Sequence, residues 1–217
     1  MKKIAVILSG CGVFDGAEIH ESVLSLLAIK RLGGDYQCFA PDITQLDVID
    51  HLSGEVISTD QRNVLQESAR IARGEIKSLT EFNVNDFDAL LVPGGFGAAK
   101  NLSNFAITGH DCEINQLVLT ACRSVAAAKK PAAYLCIAPT LMPNVYPPGV
   151  SLTIGNDPQT VAQIEKMGAK HVDCLVSDYV FDQEHNVLST PAYMLANDIL
   201  EASVGIDNTI KKLFSIC

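Results

Sequence analysis

Cys136 is the residue whose setting in the sequence most favours chemistry. It follows the apolar run 132–135 and comes shortly before Pro139, and proline is tolerated near the start of a helix. This order predicts a tight strand-to-helix turn with the thiol at its apex, where several α/β enzymes carry their nucleophile. Helix N–H groups beside the sulfur would favour the thiolate, with an expected pKa of roughly 3.5–7.5. The alternative is a buried structural cysteine that ends a core strand.

A glycine-rich segment is the second candidate. Gly94, Gly95 and Gly97 follow the apolar run 89–92, which places them at the carboxyl edge of a predicted sheet, where open α/β proteins bind ligands. Successive glycines leave backbone N–H groups free to bind an oxyanion or a carboxylate. The segment lacks the G-x-x-x-x-G-K-[ST] pattern of a P-loop. An ordinary glycine turn between a strand and a helix explains it equally well.

Two carboxylates stand at the start of a helix predicted over about 19–32. Glu18 and Glu21 can simply complement the dipole of that helix. An acid pressed into an apolar wall would instead have a raised pKa and could move protons near neutral pH. His20 is adjacent to Glu21, so it points away from it, and we expect it at the surface or in an interface.

These candidates need a scaffold that brings strand ends together. Short apolar runs at 4–8, 36–40, 89–92, 132–135, about 179–182 and 187–189 alternate with helical patterns at about 19–32, 113–129, 159–167 and from about 193. The alternation predicts parallel strands with helices on both faces, a three-layer α/β/α sandwich of Rossmann-like or flavodoxin-like architecture. Residues 41–88 interrupt it with a hairpin at about 47–57 and a helix at about 62–72. No flexible linker flanks them, so we predict one domain over 1–217 that carries an insertion at about 41–88.

Composition excludes several classes of function. The 217 residues are 48% hydrophobic, and 16 basic against 25 acidic side chains give a net charge of −9, which argues against a nucleic-acid partner. No apolar run approaches the roughly 20 residues of a membrane span. The run behind Met1 is too short for a signal peptide. Seven cysteines at irregular spacings fit a reduced compartment, so we expect a cytoplasmic protein without membrane contact.

Neither a metal nor a cofactor is expected. His110 with Cys112 and His171 with Cys174 do not complete a ligand set. The glycines at 10 and 12 begin a G-x-G-x-x-G pattern, but Asp15 stands where its third glycine belongs.

Five blocks of sequence together resemble the ThiJ/PfpI superfamily of class I glutamine amidotransferase-like proteins, and within it the ElbB-type or sigma cross-reacting protein branch. They are residues 7–13 (ILSGCGV), 15–21 (DGAEIHE), 92–102 (VPGGFGAAKNL), 136–139 (CIAP) and 190–196 (TPAYMLA). The resemblance covers essentially the whole chain. It implies a flavodoxin-like fold with a mostly parallel central sheet, and a homodimer.

The resemblance also implies roles for particular residues. The reactive cysteine of the superfamily falls on Cys136 and its partner glutamate on Glu21, with Glu18 as the fallback acid. The positions that would bind an oxyanion or substrate through backbone N–H groups are Gly94, Gly95 and Ile137. Many relatives carry histidine directly after the cysteine, where this chain has isoleucine. Protease-like and glutaminase-like chemistry, which need a Cys–His pair, are therefore not expected.

A Cys–Glu pair suits cofactor-free conversion of a small dicarbonyl substrate. In a reaction of the glyoxalase III type, the Cys136 thiolate adds to glyoxal and Glu21 relays protons through an enediol-like species. Glycolate then leaves, or lactate when the substrate is methylglyoxal. Two alternatives stay open. One is a redox-sensing or stress-response binding protein with an oxidisable low-pKa cysteine, and the other is an amidotransferase-like subunit linked to isoprenoid biosynthesis.

Overall fold

The apolar runs pair into a seven-stranded central sheet in the computed structural model, which describes residues 1–217. The strands in chain order are β1 (Lys3–Ile7), β2 (Asp35–Ala40), β3 (Ile76–Ser78), β4 (Ala89–Val92), β5 (Ala132–Leu135), β6 (Ser151–Leu152), β7 (Lys170–His171), β8 (Val180–Asp182) and β9 (Val187–Thr190). The sheet order is β3-β2-β1-β4-β5-β9-β8, while β6 and β7 form a separate ribbon. Only β8 runs antiparallel to its neighbour.

Eight α-helices accompany the strands. They are α1 (Ile19–Arg31), α2 (Val64–Ile71), α3 (Phe96–Lys100), α4 (Phe105–Thr108), α5 (Gln116–Ala127), α6 (Met142–Val145), α7 (Pro158–Lys166) and α8 (Ile199–Ile216). None of them is both long enough and apolar enough to cross a membrane.

Helices cover both faces of the sheet, because its central strands are apolar on both sides. In β1, Ile4 and Val6 join the core that includes α1 and α8, whereas Ala5 and Ile7 join the core that includes α5 and α6. All four side chains are fully buried. Burial on both faces is why such strands are unbroken apolar runs. The predicted three-layer α/β/α sandwich with a mostly parallel sheet is confirmed.

The parallel direction of β1, β4, β5 and β9 decides where chemistry can occur. The segments that follow these strands begin at residues 8, 93, 136 and 191, and all four leave the sheet at its carboxyl edge. The three candidate segments of the sequence and the 190–196 block are therefore brought to one place.

Two predicted elements differ from the structure. The last helix begins at Ile199 rather than near 193, because residues 192–194 form a 3₁₀ turn and the Asp198 carboxylate caps α8 by accepting the Glu201 N–H at 2.9 Å. Within 41–88, the hairpin arms meet in one antiparallel bridge, between Ile49 and Val56. The end of that segment contributes β3, which pairs with β2 in the central sheet.

Candidate active site

The turn after β5 holds Cys136 in a left-handed backbone conformation. Its φ is +60°, which costs on the order of 1–3 kcal/mol for a residue other than glycine and is characteristic of strained functional turns. The Cys136 N–H donates to the Thr190 carbonyl of β9 at 2.9 Å, so sheet pairing fixes the turn. A short 3₁₀ helix over Ala138–Leu141 follows. The predicted strand-to-helix turn with the thiol at its apex is confirmed.

The carboxyl group next to this thiol belongs to Glu21. Its side chain has no solvent exposure, and it lies close enough to the Cys136 thiol for each group to shift the pKa of the other. Glu21 Oε2 accepts the Gly94 N–H at 2.9 Å, and Oε1 accepts the Tyr193 N–H at 3.2 Å. Backbone groups that follow β4 and β9 therefore fix both oxygens.

Glu18, the fallback acid, has a different position. Its side chain caps α1, where Oε2 accepts the Glu21 N–H at 2.6 Å. The Glu18 N–H donates to the Gly94 carbonyl at 2.9 Å, which ties the start of α1 to the glycine turn. Glu18 therefore acts on Glu21 through its charge and lines the same pocket as Cys136.

Burial gives Glu21 a proton affinity suited to neutral pH. Loss of solvent and the neighbouring Glu18 charge raise the pKa of Glu21 from 4.5 to about 7. The N–H groups of Tyr193 and Gly94 favour the carboxylate and so oppose this rise, but they do not cancel it. Of the two alternatives that the sequence left open for these acids, complementing the helix dipole or sitting in an apolar wall with a raised pKa, Glu21 follows the second.

The pKa of the cysteine moves in the direction opposite to our prediction. Burial raises the pKa of the Cys136 thiol well above its ordinary value, and the Glu21 charge raises it further. The N–H groups of Gly95 and Ile137 face the sulfur and favour the thiolate, but one short 3₁₀ turn offers too few such groups to offset a buried carboxylate neighbour. The predicted low pKa is wrong. The resting pair is a thiol beside a carboxyl group, and a redox-sensing role loses the low-pKa thiol on which it depended.

Gly94 and Gly95, the two glycines of the turn, have different roles. The Gly94 N–H is engaged by Glu21, so it holds the acid rather than facing the sulfur. A Cβ at this position would lie 2.4 Å from Cys136 Cβ and 2.8 Å from Glu21 Oε2, so only glycine fits between the two side chains. Gly95 has a φ of +90°, and its N–H points at the sulfur together with that of Ile137. Two of the three predicted donors thus face Cys136.

Cys136 opens into a pocket of about 260 Å³. Its lining residues are Val13, Glu18, Gly95, Phe96, Cys136, Ile137, Asp157, Thr160, Tyr193 and Met194. Pockets for drug-sized ligands occupy roughly 300–1,000 Å³, so this one suits a molecule of a few heavy atoms. No histidine belongs to the lining.

Tyr193, Asp157 and Thr160 also contribute to the site, and none of them was predicted from the sequence to do so. Tyr193 positions Glu21 through its N–H and bonds His20 Nδ1 through its hydroxyl at 2.8 Å. Its place just beyond the apolar strand that ends at Thr190 is a usable signal, since the carboxyl ends of parallel strands meet at one edge of the sheet. Asp157 and Thr160 reach the pocket from the start of α7, and no pattern in the sequence pointed to them. His20 is exposed, as expected.

The fold is the class I glutamine amidotransferase-like fold, and proteins of the DJ-1/ThiJ/PfpI superfamily share it. Drosophila melanogaster DJ-1beta shares the fold with 19% identity and a TM-score of 0.57, over 99% of this chain and 90% of that one. An isoprenoid biosynthesis protein with an amidotransferase-like domain from Ehrlichia chaffeensis is much more similar. It is 38% identical with a TM-score of 0.93, over 100% of this chain and 99% of that one.

The chain belongs to the family of the ES1 proteins. It is 41% identical over 223 residues to the mitochondrial ES1 protein homolog of Rattus norvegicus, covering 99% of this chain and 84% of the relative. It is also 41% identical to the mitochondrial glutamine amidotransferase-like class 1 domain-containing protein 3 of Homo sapiens, covering 99% and 83%. No protein-family model matches the sequence. Because these relatives are named mitochondrial, the cytoplasmic location stays a prediction.

Proposed function

We propose that the protein is a glutathione-independent glyoxalase that converts glyoxal, and also methylglyoxal, to the corresponding 2-hydroxy acid. The observation that carries this proposal is the fully buried Glu21 carboxyl group, with a pKa of about 7, held against the Cys136 thiol. A general acid–base group is most effective when its pKa lies near the working pH. The small pocket above the sulfur fits a substrate of the size of glyoxal.

The first step activates the thiol only as it reacts. The Glu21 carboxylate removes the thiol proton while the sulfur attacks one aldehyde carbon, so a carbon–sulfur bond forms and the carbonyl π electrons move to oxygen. The N–H groups of Gly95 and Ile137 face the sulfur and are placed to bind that oxygen. A raised resting pKa of Cys136 fits this order, because the adjacent base makes the nucleophile when the substrate arrives.

The following steps move protons between two neighbouring carbons. Glu21 returns the thiol proton to the oxygen of the attacked carbonyl group, which gives the hemithioacetal and restores the carboxylate. Glu21 then removes the proton from the carbon that bears sulfur, while the second carbonyl oxygen takes a proton from water. The resulting enediol becomes a thioester when Glu21 delivers a proton to the second carbon and the hydroxyl group on the sulfur-bearing carbon gives up its proton to water. One carbon is oxidised by two electrons and the other is reduced by two, so the rearrangement is balanced internally. Water then breaks the carbon–sulfur bond, glycolate leaves and the Cys136 thiol is restored.

The proposal is tested by following glyoxal in D₂O by NMR, without glutathione. We expect glycolate at a rate proportional to protein concentration, with deuterium on its CH₂ carbon because Glu21 exchanges its proton with solvent. Absence of glycolate above the buffer rate would contradict the glyoxalase. Glycolate without deuterium would contradict the proton relay and favour a direct hydride shift.

A second candidate is the amidotransferase-like subunit linked to isoprenoid biosynthesis. The observation that favours it is the name and 38% identity of the Ehrlichia chaffeensis protein. Glutamine hydrolysis by a cysteine uses a histidine partner, and no histidine lines this pocket. We therefore expect no ammonia release from glutamine by the purified protein. Release that depends on Cys136 would favour the amidotransferase over the glyoxalase.

Substituting alanine for Gly94 should disable the site by steric overlap alone, without removing a reactive group. The added Cβ would overlap Cys136 Cβ and Glu21 Oε2 at 2.4 and 2.8 Å, so the thiol and carboxyl group must move apart. Because misplacement by about 1 Å can cost a hundredfold in rate, we expect kcat/KM for glyoxal to fall at least about a hundredfold. The control is Gly54→Ala. Its φ of +78° strains an alanine, but a Cβ there meets nothing within 4 Å, so this variant reports a loss of stability without a clash in the site. An active Gly94→Ala protein would contradict the proposed contact between the two groups.

A further inference from the structure

We propose that the pocket above Cys136 selects uncharged small carbonyl compounds and rejects those that carry a carboxylate, and that Asp157 is a specificity-determining residue for this choice. The substrate class rests on the proposed glyoxalase function. The charge selection itself is a property of the pocket and can be measured independently of turnover.

The charged side chains that line the pocket are all acidic. Glu18 reaches it from the start of α1 and Asp157 from the start of α7, and the lining contains no lysine, arginine or histidine. Asp157 Oδ2 accepts hydrogen bonds from Thr160 Oγ1 at 2.6 Å and from the Thr160 N–H at 2.8 Å. These bonds hold the pKa of Asp157 below its ordinary value, so its carboxylate stays charged at neutral pH.

The basic groups near the pocket are engaged elsewhere. The Lys100 ammonium lies 5.7 Å from the Phe96 ring centroid, but it is paired with Asp47 at 2.9 Å. His20 Nδ1 bonds the Tyr193 hydroxyl at 2.8 Å at the exposed rim. A carboxylate on a ligand would therefore meet Glu18 and Asp157 without a cation to compensate it, and like charges in such surroundings repel.

The backbone N–H donors do not compensate the negative charge that a ligand carboxylate would meet in the pocket. Gly95 and Ile137 direct their N–H groups toward the sulfur, so they serve an oxygen on the carbon that the sulfur attacks. The remainder of the substrate must occupy the part of the pocket that the two carboxylates line. Glyoxal and methylglyoxal place an uncharged group there, whereas glyoxylate would place a carboxylate. The same field would favour departure of the anionic product.

The test uses two alkylating reagents of similar shape and different charge. Neutral iodoacetamide and anionic iodoacetate are reacted separately with the protein, and modification of Cys136 is followed by peptide mass spectrometry. N-acetylcysteine amide, an uncharged thiol, gives the reference ratio of the two rates. We expect the ratio of neutral to anionic rate at Cys136 to exceed the reference about tenfold, as expected from like charges at short range. A ratio equal to the reference would overturn the proposal.

Substitution at Asp157 isolates its charge. Asn is also a good N-cap residue, so Asp157→Asn removes the charge while it keeps the start of α7. We expect this variant to lower the Cys136 ratio about threefold, by removing one of the negative charges that repel an anionic reagent, while Glu18 and Glu21 remain. The control is Glu184→Gln, an exposed charge in the turn between β8 and β9, which should leave the ratio unchanged. An unchanged ratio in Asp157→Asn would overturn the role of Asp157.

The experiments distinguish failure of the proposed glyoxalase activity from failure of the proposed charge selection. A protein that consumes no glyoxal but keeps the high alkylation ratio refutes the glyoxalase and supports the charge selection. A protein that consumes glyoxal and glyoxylate with similar kcat/KM, and alkylates with the reference ratio, supports the glyoxalase and refutes the selection.

Discussion

Replacement of Cys136 by alanine is expected to lower kcat/KM for glyoxal at least about a thousandfold, the order of loss seen when an enzyme loses its nucleophile. The pocket lining contains no second thiol that could form the carbon–sulfur bond. The variant should fold, because a methyl group fits where the Cβ and sulfur lie now. Glycolate formation followed by NMR gives the rate, and circular dichroism checks the fold.

The matched control for this substitution is Cys217→Ala. Cys217 is an exposed thiol at the end of α8, outside the pocket lining, so the control should keep the rate of the parent protein. Equal turnover by the parent and Cys136→Ala would contradict covalent catalysis at the elbow. An equal loss in both cysteine variants would attribute the effect to handling or to thiol oxidation elsewhere in the chain.

Replacement of Glu21 by glutamine is expected to lower turnover about a hundredfold to ten-thousandfold, the usual contribution of a positioned acid–base group. Glutamine has nearly the same shape, and its oxygen can still accept the Gly94 N–H, but it cannot exchange a proton. The pH profile identifies the role. Because the ionised form of Glu21 is the base, kcat/KM of the parent should rise tenfold per pH unit below about 7 and level off above it.

The glutamine variant should lose this profile. Its residual rate should follow ionisation of the Cys136 thiol, whose pKa burial still raises after the Glu21 charge is removed, so the rate should still be rising in the alkaline range. Glu18→Gln is the informative companion, because removal of the Glu18 charge lowers the pKa of Glu21. That variant should remain active with its profile displaced to lower pH. A parent profile that is flat between pH 5 and 8 would contradict the assignment of Glu21.

The same Glu21→Gln substitution should also change stability in a pH-dependent way. The pKa of Glu21 is about 7 in the folded protein and 4.5 without the fold, so the folded state holds this proton more tightly. The stabilisation that this proton gives to the folded state is fully present below about pH 4.5 and is lost as the pH rises through about 7. The loss in the free energy of unfolding is about 3 kcal/mol. Glutamine cannot ionise, so the variant should gain stability relative to the parent between pH 5 and 8. Urea titrations at pH 5 and pH 8 measure the difference.

Many strands and helices of the scaffold could be predicted from the sequence, because their positions depend on the order of apolar and polar residues over short stretches. The runs at 89–92 and 132–135 are the strands β4 and β5 with the same bounds, since a strand buried on both faces needs an unbroken apolar stretch of that length. The start of the last helix was less predictable. The apolar residues continue through 193–196, and the cap at Asp198, rather than the pattern, decides where α8 begins.

The sequence by itself determined the α/β/α sandwich and the elbow that carries Cys136, because strand burial and turn chemistry act between near neighbours along the chain. Only the tertiary structure decided that Glu21 rather than Glu18 meets the thiol. The two acids are three residues apart at the start of one helix, and which of them faces the cysteine depends on how α1 docks against the glycine turn.

Tertiary structure also raised the pKa of Cys136, where the sequence predicted a lowered one, and it brought Asp157 to the pocket. The affinity of a buried group for its proton depends on everything packed around it, and those neighbours come from β4, β5, β9, α1 and α7, which are far apart in the chain. A sequence shows which residues can do chemistry. The electrostatic surroundings in which they do it arise only when distant segments meet, since desolvation and Coulomb interactions act through space.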